Sequence, residues 1–196
     1  MKQHALLSGL LALFCGAALA DGAPTPMTIN QSTLSNVAPG YHGNVGVNQA
    51  AGDAQQQANG RAIAIGSQAQ ASTRFTQSNV TSTDLSQSTR SSIEGNSFAN
   101  GSGAVGVNQA AGAGSQQVNA MRISISAYPQ GMDDSELSQQ SVTLLPNSGA
   151  GGSTSGERRV DTSDQAFRSS QGVVQLNQSA GVGNHMANTL SIRVAD

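Results

Sequence analysis

"VGVNQAAG" occupies residues 45–52, and the same eight letters return at residues 105–112. The string carries no charge, no ring and no thiol, so its duplication points to shape and pairing rather than to reactive chemistry. Aligned on its closing glycine, it extends into three ungapped segments. These are "VGVNQAAGDAQQQANGRAIAI" (45–65), "VGVNQAAGAGSQQVNAMRISI" (105–125) and "VQLNQSAGVGNHMANTLSIRV" (174–194). The anchors are Gly52, Gly112 and Gly181, and every aligned column repeats at offsets of 60 and 69 residues. Four residues before each anchor stands an asparagine, Asn48, Asn108 or Asn177, followed by Gln49, Gln109 or Gln178. Seven residues after each anchor comes Asn59, Asn119 or Asn188. Agreement over this many ungapped positions identifies a true internal repeat.

Within each copy the pattern has period two. Val45 and Val47, Val105 and Val107, and Val174 and Leu176 alternate with small or polar residues in the first arm. Ile63 and Ile65, Ile123 and Ile125, and Ile192 and Val194 do the same in the second. Alternation of this kind marks a strand with one buried face. The glycine-containing centre is a turn signal, because glycine accepts the positive φ of a tight reversal. Each copy therefore reads as strand, turn, strand. A helix is the rival, given the alanines and glutamines. β-Branched residues at i and i+2 around a central glycine weigh against it. The branched residues of the two arms are expected to face each other across a narrow interior.

A lone strand-turn-strand unit is marginal in water, and stacking copies is the remedy. Like segments in register pair their backbones at roughly 4.7–4.8 Å spacing, and identical amides hydrogen-bond in ladders along the stack. A slip of one residue would turn every Val and Ile to the wrong face, which is a reason to copy the string without error. Buried amides are costly unless paired, and a ladder pairs each with its own equivalent. The fold expected is all-β: three strand-turn-strand repeats stacked as a cross-β or β-solenoid stem, disordered as a fresh monomer.

The rest of the chain divides around these units. Residues 1–20 read as a secretory signal peptide, with Lys2 at the start, an apolar run from Ala5 to Phe14, and Ala18-Leu19-Ala20 before Asp21. The apolar run is too short to span a membrane, and no membrane insertion is expected. Residues 21–44 form an N-terminal segment, 66–104 and 126–173 two linkers, and 195–196 a short tail. Thr73-Arg74-Phe75-Thr76-Gln77 and Ser141-Val142-Thr143-Leu144-Leu145 could add weak strands, whereas "PNSGAGGSTSGERR" is expected to be mobile.

Composition narrows the function. The only cysteine is Cys15 and the only lysine Lys2, both inside the signal segment, so the mature chain has no thiol. It must find stability without disulfides. Nine basic against eleven acidic residues, a net charge of −2, argue against a nucleic-acid partner. It lacks tryptophan, and aromatic residues make up 3% of it, too few for an ordinary globular core. Acidic residues, Asp53 apart, lie outside the repeats, where stacked like charges would not oppose the ladder. Arg61, Arg122 and Arg193 fall at different repeat positions and read as solvated surface residues, with a gatekeeper role against premature aggregation as the alternative. "GSGAVG" (101–106) fits a dinucleotide-binding pattern but opens no helix, and His42 and His185 are isolated. No nucleophile elbow occurs. Neither enzyme activity nor a cofactor or metal is expected.

The Val-x-Val-Asn-x-Ala-Ala-Gly arm, the short turn, Gln-Gln-x-Asn and the closing alternating arm resemble the repeats of the Fap functional amyloids of Pseudomonas-type biofilms. They are distantly similar to the repeats of curli subunits. Three repeats, two unequal linkers and a signal peptide match the Fap layout over nearly the whole mature chain. The resemblance implies export, passage through an outer-membrane secretion pore, and assembly with itself and related amyloid subunits into cell-surface fibres. It departs at the C-terminus: the family's major subunits carry a Cys-x-x-Cys, and this chain ends "NTLSIRVAD". A major subunit, a minor subunit, a nucleator and a paralogous adhesin all remain open, as does a monomeric β-solenoid that binds a surface or glycan. The residues expected to carry assembly are Val47, Asn48, Gln49, Gly52, Asn59, Ile63 and Ile65 with their counterparts, valine and isoleucine filling the interior.

Overall fold

The computed structural model describes residues 27–79, 86–127 and 156–195. Among these it contains nine strands: β1 (Ile29–Ser35), β2 (His42–Ala51), β3 (Gln56–Gly66), β4 (Ser88–Glu94), β5 (Ser102–Ala113), β6 (Gln116–Ser126), β7 (Arg158–Thr162), β8 (Gln171–Val182) and β9 (His185–Ala195). They form three parallel three-stranded sheets, ordered β1-β4-β7, β2-β5-β8 and β3-β6-β9. The chain thus makes three rungs, β1 to β3, β4 to β6 and β7 to β9, each laid on the one before. The registers set Val45 beside Val105 and Val174, Asn48 beside Asn108 and Asn177, and Gly112 beside Gly181, with Gly52 directly after β2 against the Gly112 carbonyl. In the third sheet Asn59, Asn119 and Asn188 line up, as do Ile63, Ile123 and Ile192.

The sheet β2-β5-β8 is the middle of three layers. Its period-two alternation gives it two interior faces. Val105 and Val107 pack with Leu34 and Ile93 of the β1-β4-β7 sheet in the main apolar cluster, which Tyr41 and Phe98 close at the corner. Gly106 and Asn108 face the β3-β6-β9 sheet, where Asn119 donates to the Val107 carbonyl at 3.0 Å. The sheet β1-β4-β7 was not anticipated: its strands come from the N-terminal segment and both linkers. Its inward columns are Ser32, Ser91 and Val160, and Leu34, Ile93 and Thr162. Arg158 and Arg159, expected in a mobile run, instead open β7.

The corner between the first two sheets also repeats. Ala38, Phe98 and Phe167 occupy it with φ of 46°, 58° and 59°. The Phe98 and Phe167 rings stack with centroids 5.2 Å apart, a geometry that adds to their burial. Residues 71–79 of the first linker join no sheet. The linker crosses the outer face of β3-β6-β9, where Ala71 N–H donates to Ser124 Oγ at 3.0 Å and Gln77 Nε2 to the Gln117 carbonyl at 3.3 Å. The stretch 141–145 lies outside the described residues.

Candidate functional site

The candidate surfaces are the amide columns and the two outer rung edges, which face no further rung among the described residues. Asn108 Nδ2 donates to Asn48 Oδ1 at 2.9 Å, and Asn177 Nδ2 to Asn108 Oδ1 at 3.0 Å. A second column runs beside it: Asn119 donates to Asn59 Oδ1 at 3.0 Å and Asn188 to Asn119 Oδ1 at 3.1 Å. The two are cross-linked within each rung, Asn59 to Asn48, Asn119 to Asn108 and Asn188 to Asn177, at 2.8, 3.0 and 2.9 Å. Both also reach across to backbone carbonyls, Asn108 to Ala58 and Asn119 to Val107. On the other face Gln109 donates to Gln49 and to the Ser32 and Ser92 carbonyls, and Gln178 donates to Gln109. These amides pin the three layers together. Low-charge polar side chains are thereby buried with their hydrogen bonds made, the condition on which burial of a polar group is tolerated.

These ladders have a direction. In both asparagine columns the N–H groups point toward rung 1 and the oxygens toward rung 3. At the rung 1 edge the exposed Asn48 amide has no acceptor among the described residues, while at the rung 3 edge Asn188 Oδ1 has no donor among them. One edge offers donors where the other offers acceptors.

Glycine is required at the turns for a reason beyond conformation. Gly52, Gly112 and Gly181 have φ of +103°, +122° and +120°, values that L side chains avoid. A Cβ on Gly52 would run into the carbonyl of Gly112, and one on Gly112 into the carbonyl of Gly181. Gly43, Gly103 and Gly172 form a second such column at the start of the middle sheet. Their recurrence at offsets of 60 and 69 was visible in the sequence just upstream of the repeats, and the repeat bounds excluded them.

The hydrophobic positions of the two arms separate. Val105 and Val107 are fully buried, and Val45, Val47 and Leu176 half-buried, against the β1-β4-β7 sheet. Val174, on the rung 3 edge, is 43% exposed. The isoleucines do not fill the interior as expected: Ile63 is 59% exposed and Ile65 74%, while Ile125 and Val194 are exposed and Ile123 and Ile192 half-buried. The arms pair across the layers as Gln57 with Gln49, Asn59 with Val47 and Arg61 with Val45. Continued, this sets Ile63 opposite Gly43, where positive φ turns the chain away toward the corner. Beyond that point the middle sheet no longer covers β3, β6 and β9. What faces across the layers in place of branched carbon is glycine and asparagine.

The arginines also differ from expectation. Arg122 is 2% exposed. It shares the outer face of β6 with Ser124, which the first linker overlies, so the solvated reading fails for it. Arg61 is half-buried, donates from Nη2 to the Val45 carbonyl at 2.8 Å, and has its guanidinium pKa lowered by burial. In the β1-β4-β7 sheet, hydrogen bonding by Arg159 at 2.6 Å, with Arg90 at 3.4 Å, holds the Asp161 carboxyl below its ordinary range. Among the described residues no group of three His, Cys, Asp or Glu could hold a metal, and no helix is long and apolar enough to cross a membrane.

A family model described as the functional amyloid protein FapB/FapC family matches residues 17–195 of the chain. No solved structure matches it.

Proposed function

The chain belongs to the functional amyloid protein FapB/FapC family, and on that premise we propose that it is a secreted subunit of a biofilm-matrix fibre that also supports surface adhesion. Copies add head to tail, rung 3 of one against rung 1 of the next. The N-terminal 20 residues direct export, an outer-membrane pore passes the chain to the cell surface, and self-association or association with related subunits builds the fibre there. The observation that carries this reading is the polarity of the asparagine columns. The unmatched Asn48 amide at one edge and the unmatched Asn188 Oδ1 at the other stand in the relation that joins Asn177 to Asn119 within the chain at 3.1 Å, and a second copy in the same orientation continues the ladder. Parallel strand edges left open at both ends supply the matching backbone groups.

The test is to incubate the mature chain and follow thioflavin fluorescence with fibre diffraction. Fibres with reflections at about 4.7–4.8 Å and about 10 Å are expected. A chain that grows no fibre even when seeded, and instead persists as a soluble monomer melting cooperatively at a temperature independent of protein concentration, would overturn the reading and favour a monomeric solenoid adhesin.

A further inference from the structure

Two columns break the repetition of the interior, and they do so at opposite ends of the stack. Gly46, Gly106 and Gln175 share one register position in the middle sheet. Arg61, Met121 and Leu190 share the position that faces it from the third sheet. In rung 1 the arginine fits because its partner is glycine: a Cβ on Gly106 would lie 2.9 Å from Arg61 Nη2. Rung 3 reverses the sizes, with the longer Gln175 facing the shorter Leu190. The rungs therefore match as stacked neighbours without being interchangeable.

Arg61 and Gln175 are also left incomplete. Arg61 Nε is buried without an acceptor. Gln175 is 7% exposed and donates from Nε2 to the Ala120 carbonyl at 3.0 Å and the Asn188 carbonyl at 3.3 Å, while its Oε1 accepts from nothing among the described residues. Beside it, at the free edge of rung 3, a groove of about 590 Å³ runs between residues 173–176 of β8 and 187–190 of β9.

We propose that this groove is the docking site for rung 1 of a second copy, and that Arg61 of the incoming copy donates to Gln175 Oε1 of the copy already in place. The inference rests on the stacking reading above and adds what fixes its polarity and order. Within one chain Arg61 and Gln175 are two layers apart, about 9.6 Å along the axis, whereas at a junction of rung 3 with rung 1 they are one layer apart, about 4.8 Å. The occupant is a second copy because only rung 1 presents an arginine at this position. Rung 2 carries Met121 there, and a rung 3 edge would set Gln175 against Leu190. A charged donor to a neutral acceptor in a site emptied of water is the stronger class of hydrogen bond.

The experiment is a double-mutant cycle in seeded elongation, using R61M and Q175G. Both substitutions install the residue that rung 2 already carries at the same position, so each is compatible with a rung. Wild type, both single variants and the double variant are each elongated on their own seeds. R61M is expected to slow elongation roughly tenfold in the wild-type background, the effect of one charged hydrogen bond. It should have less than about a threefold effect in the Q175G background. The unfolding midpoints of the soluble chains should show no such coupling. Additive effects on elongation, or equal coupling in the soluble chains, would overturn this inference while leaving the stacking reading intact. A wild type that grows no cross-β fibre would instead overturn the stacking reading, and this inference with it.

Discussion

Residues 45–52 and 105–112 have the same eight letters and opposite environments. In rung 2 the string from Val105 to Gly112 is buried at every position; in rung 1 the string from Val45 to Gly52 alternates between half-buried and exposed. Asn108 is fully buried, and Asn48, its twin, is exposed. Local sequence cannot cause this difference; it comes from axial neighbours, since rung 2 has a rung on each side and rung 1 has one. At the other end Asn177 of rung 3 stays 2% exposed because its amide leans onto rung 2. Most of the burial in this fold is therefore axial. It accrues by adding layers rather than by closing a globule, as in other one-dimensional repeat architectures. A copy placed on the free edge would convert rung 1 into another rung 2, and each prediction below asks whether it does.

The largest effect is expected at the turn glycines. Gly112→Ala combines the strain of φ +122° with a Cβ driven into the Gly181 carbonyl, and should cost about 4 kcal/mol or more, enough to prevent folding of the stack. Gly181→Ala has similar strain, but its Cβ meets the flexible Arg158 Cδ at 2.9 Å in place of a carbonyl. The isolated chain should tolerate it better, losing about 1–3 kcal/mol in chemical denaturation. In a fibre the same Cβ would face the Gly52 carbonyl of the next copy. Gly181→Ala should therefore slow seeded elongation by much more than its stability loss accounts for. Equal penalties in the two assays would count against stacking at rung 3.

The asparagines come next. Asn108→Ala takes one hydrogen bond each from the Asn48, Asn177 and Asn119 amides and from the Ala58 carbonyl in a buried site, for an expected loss of about 2–3 kcal/mol. Asn48→Ala at the exposed edge should cost the soluble chain about 1 kcal/mol or less. Fibre dissociation in guanidinium should bring the two values together, because a second copy gives Asn48 the neighbour it lacks. If the gap between them persists in the fibre, the edges are not joined through these columns.

The repeat could be read because stacking imposes one register on every column. The positions of Asn48, Asn59 and Gly52 and their counterparts follow from in-register pairing, and so does the use of the amides. The β1-β4-β7 sheet was illegible for two physical reasons. Its strands bury serine and threonine as well as leucine and isoleucine, so "INQSTLS", "STRSSIE" and "RRVDT" show little apolar alternation. The corner before the middle sheet is residues 36–41 in rung 1 and 95–101 in rung 2. That one extra residue shifts β1 out of the 60-residue register, and an ungapped alignment loses it. The buried Arg122 was missed for another reason: its cover is a linker segment that crosses the sheet face without joining a ladder, and no periodicity reports such a contact.

The smallest effect separates the two arms of the repeat, which look alike as sequence. Period two assigns Val107 and Ile65 each to a face, but it cannot tell how far the neighbouring sheet extends over that face. The bend at Gly43 decides it, leaving Ile65 74% exposed and keeping the equivalent stretch of the first arm, with Val107 fully buried, inside. Val107→Ala should cost about 2 kcal/mol, through lost burial and the cavity left beside Ile93 and Leu34. Ile65→Ala should change the stability of the soluble chain by about 0.5 kcal/mol or less, the usual scale for surface positions, although isoleucine is the larger side chain. Denaturant midpoints of the two variants decide between the layered arrangement and a closed interior in which the branched residues of both arms meet. Comparable losses for Val107→Ala and Ile65→Ala would mean that the arms do face each other, and that the β1-β4-β7 sheet is not what covers the valines.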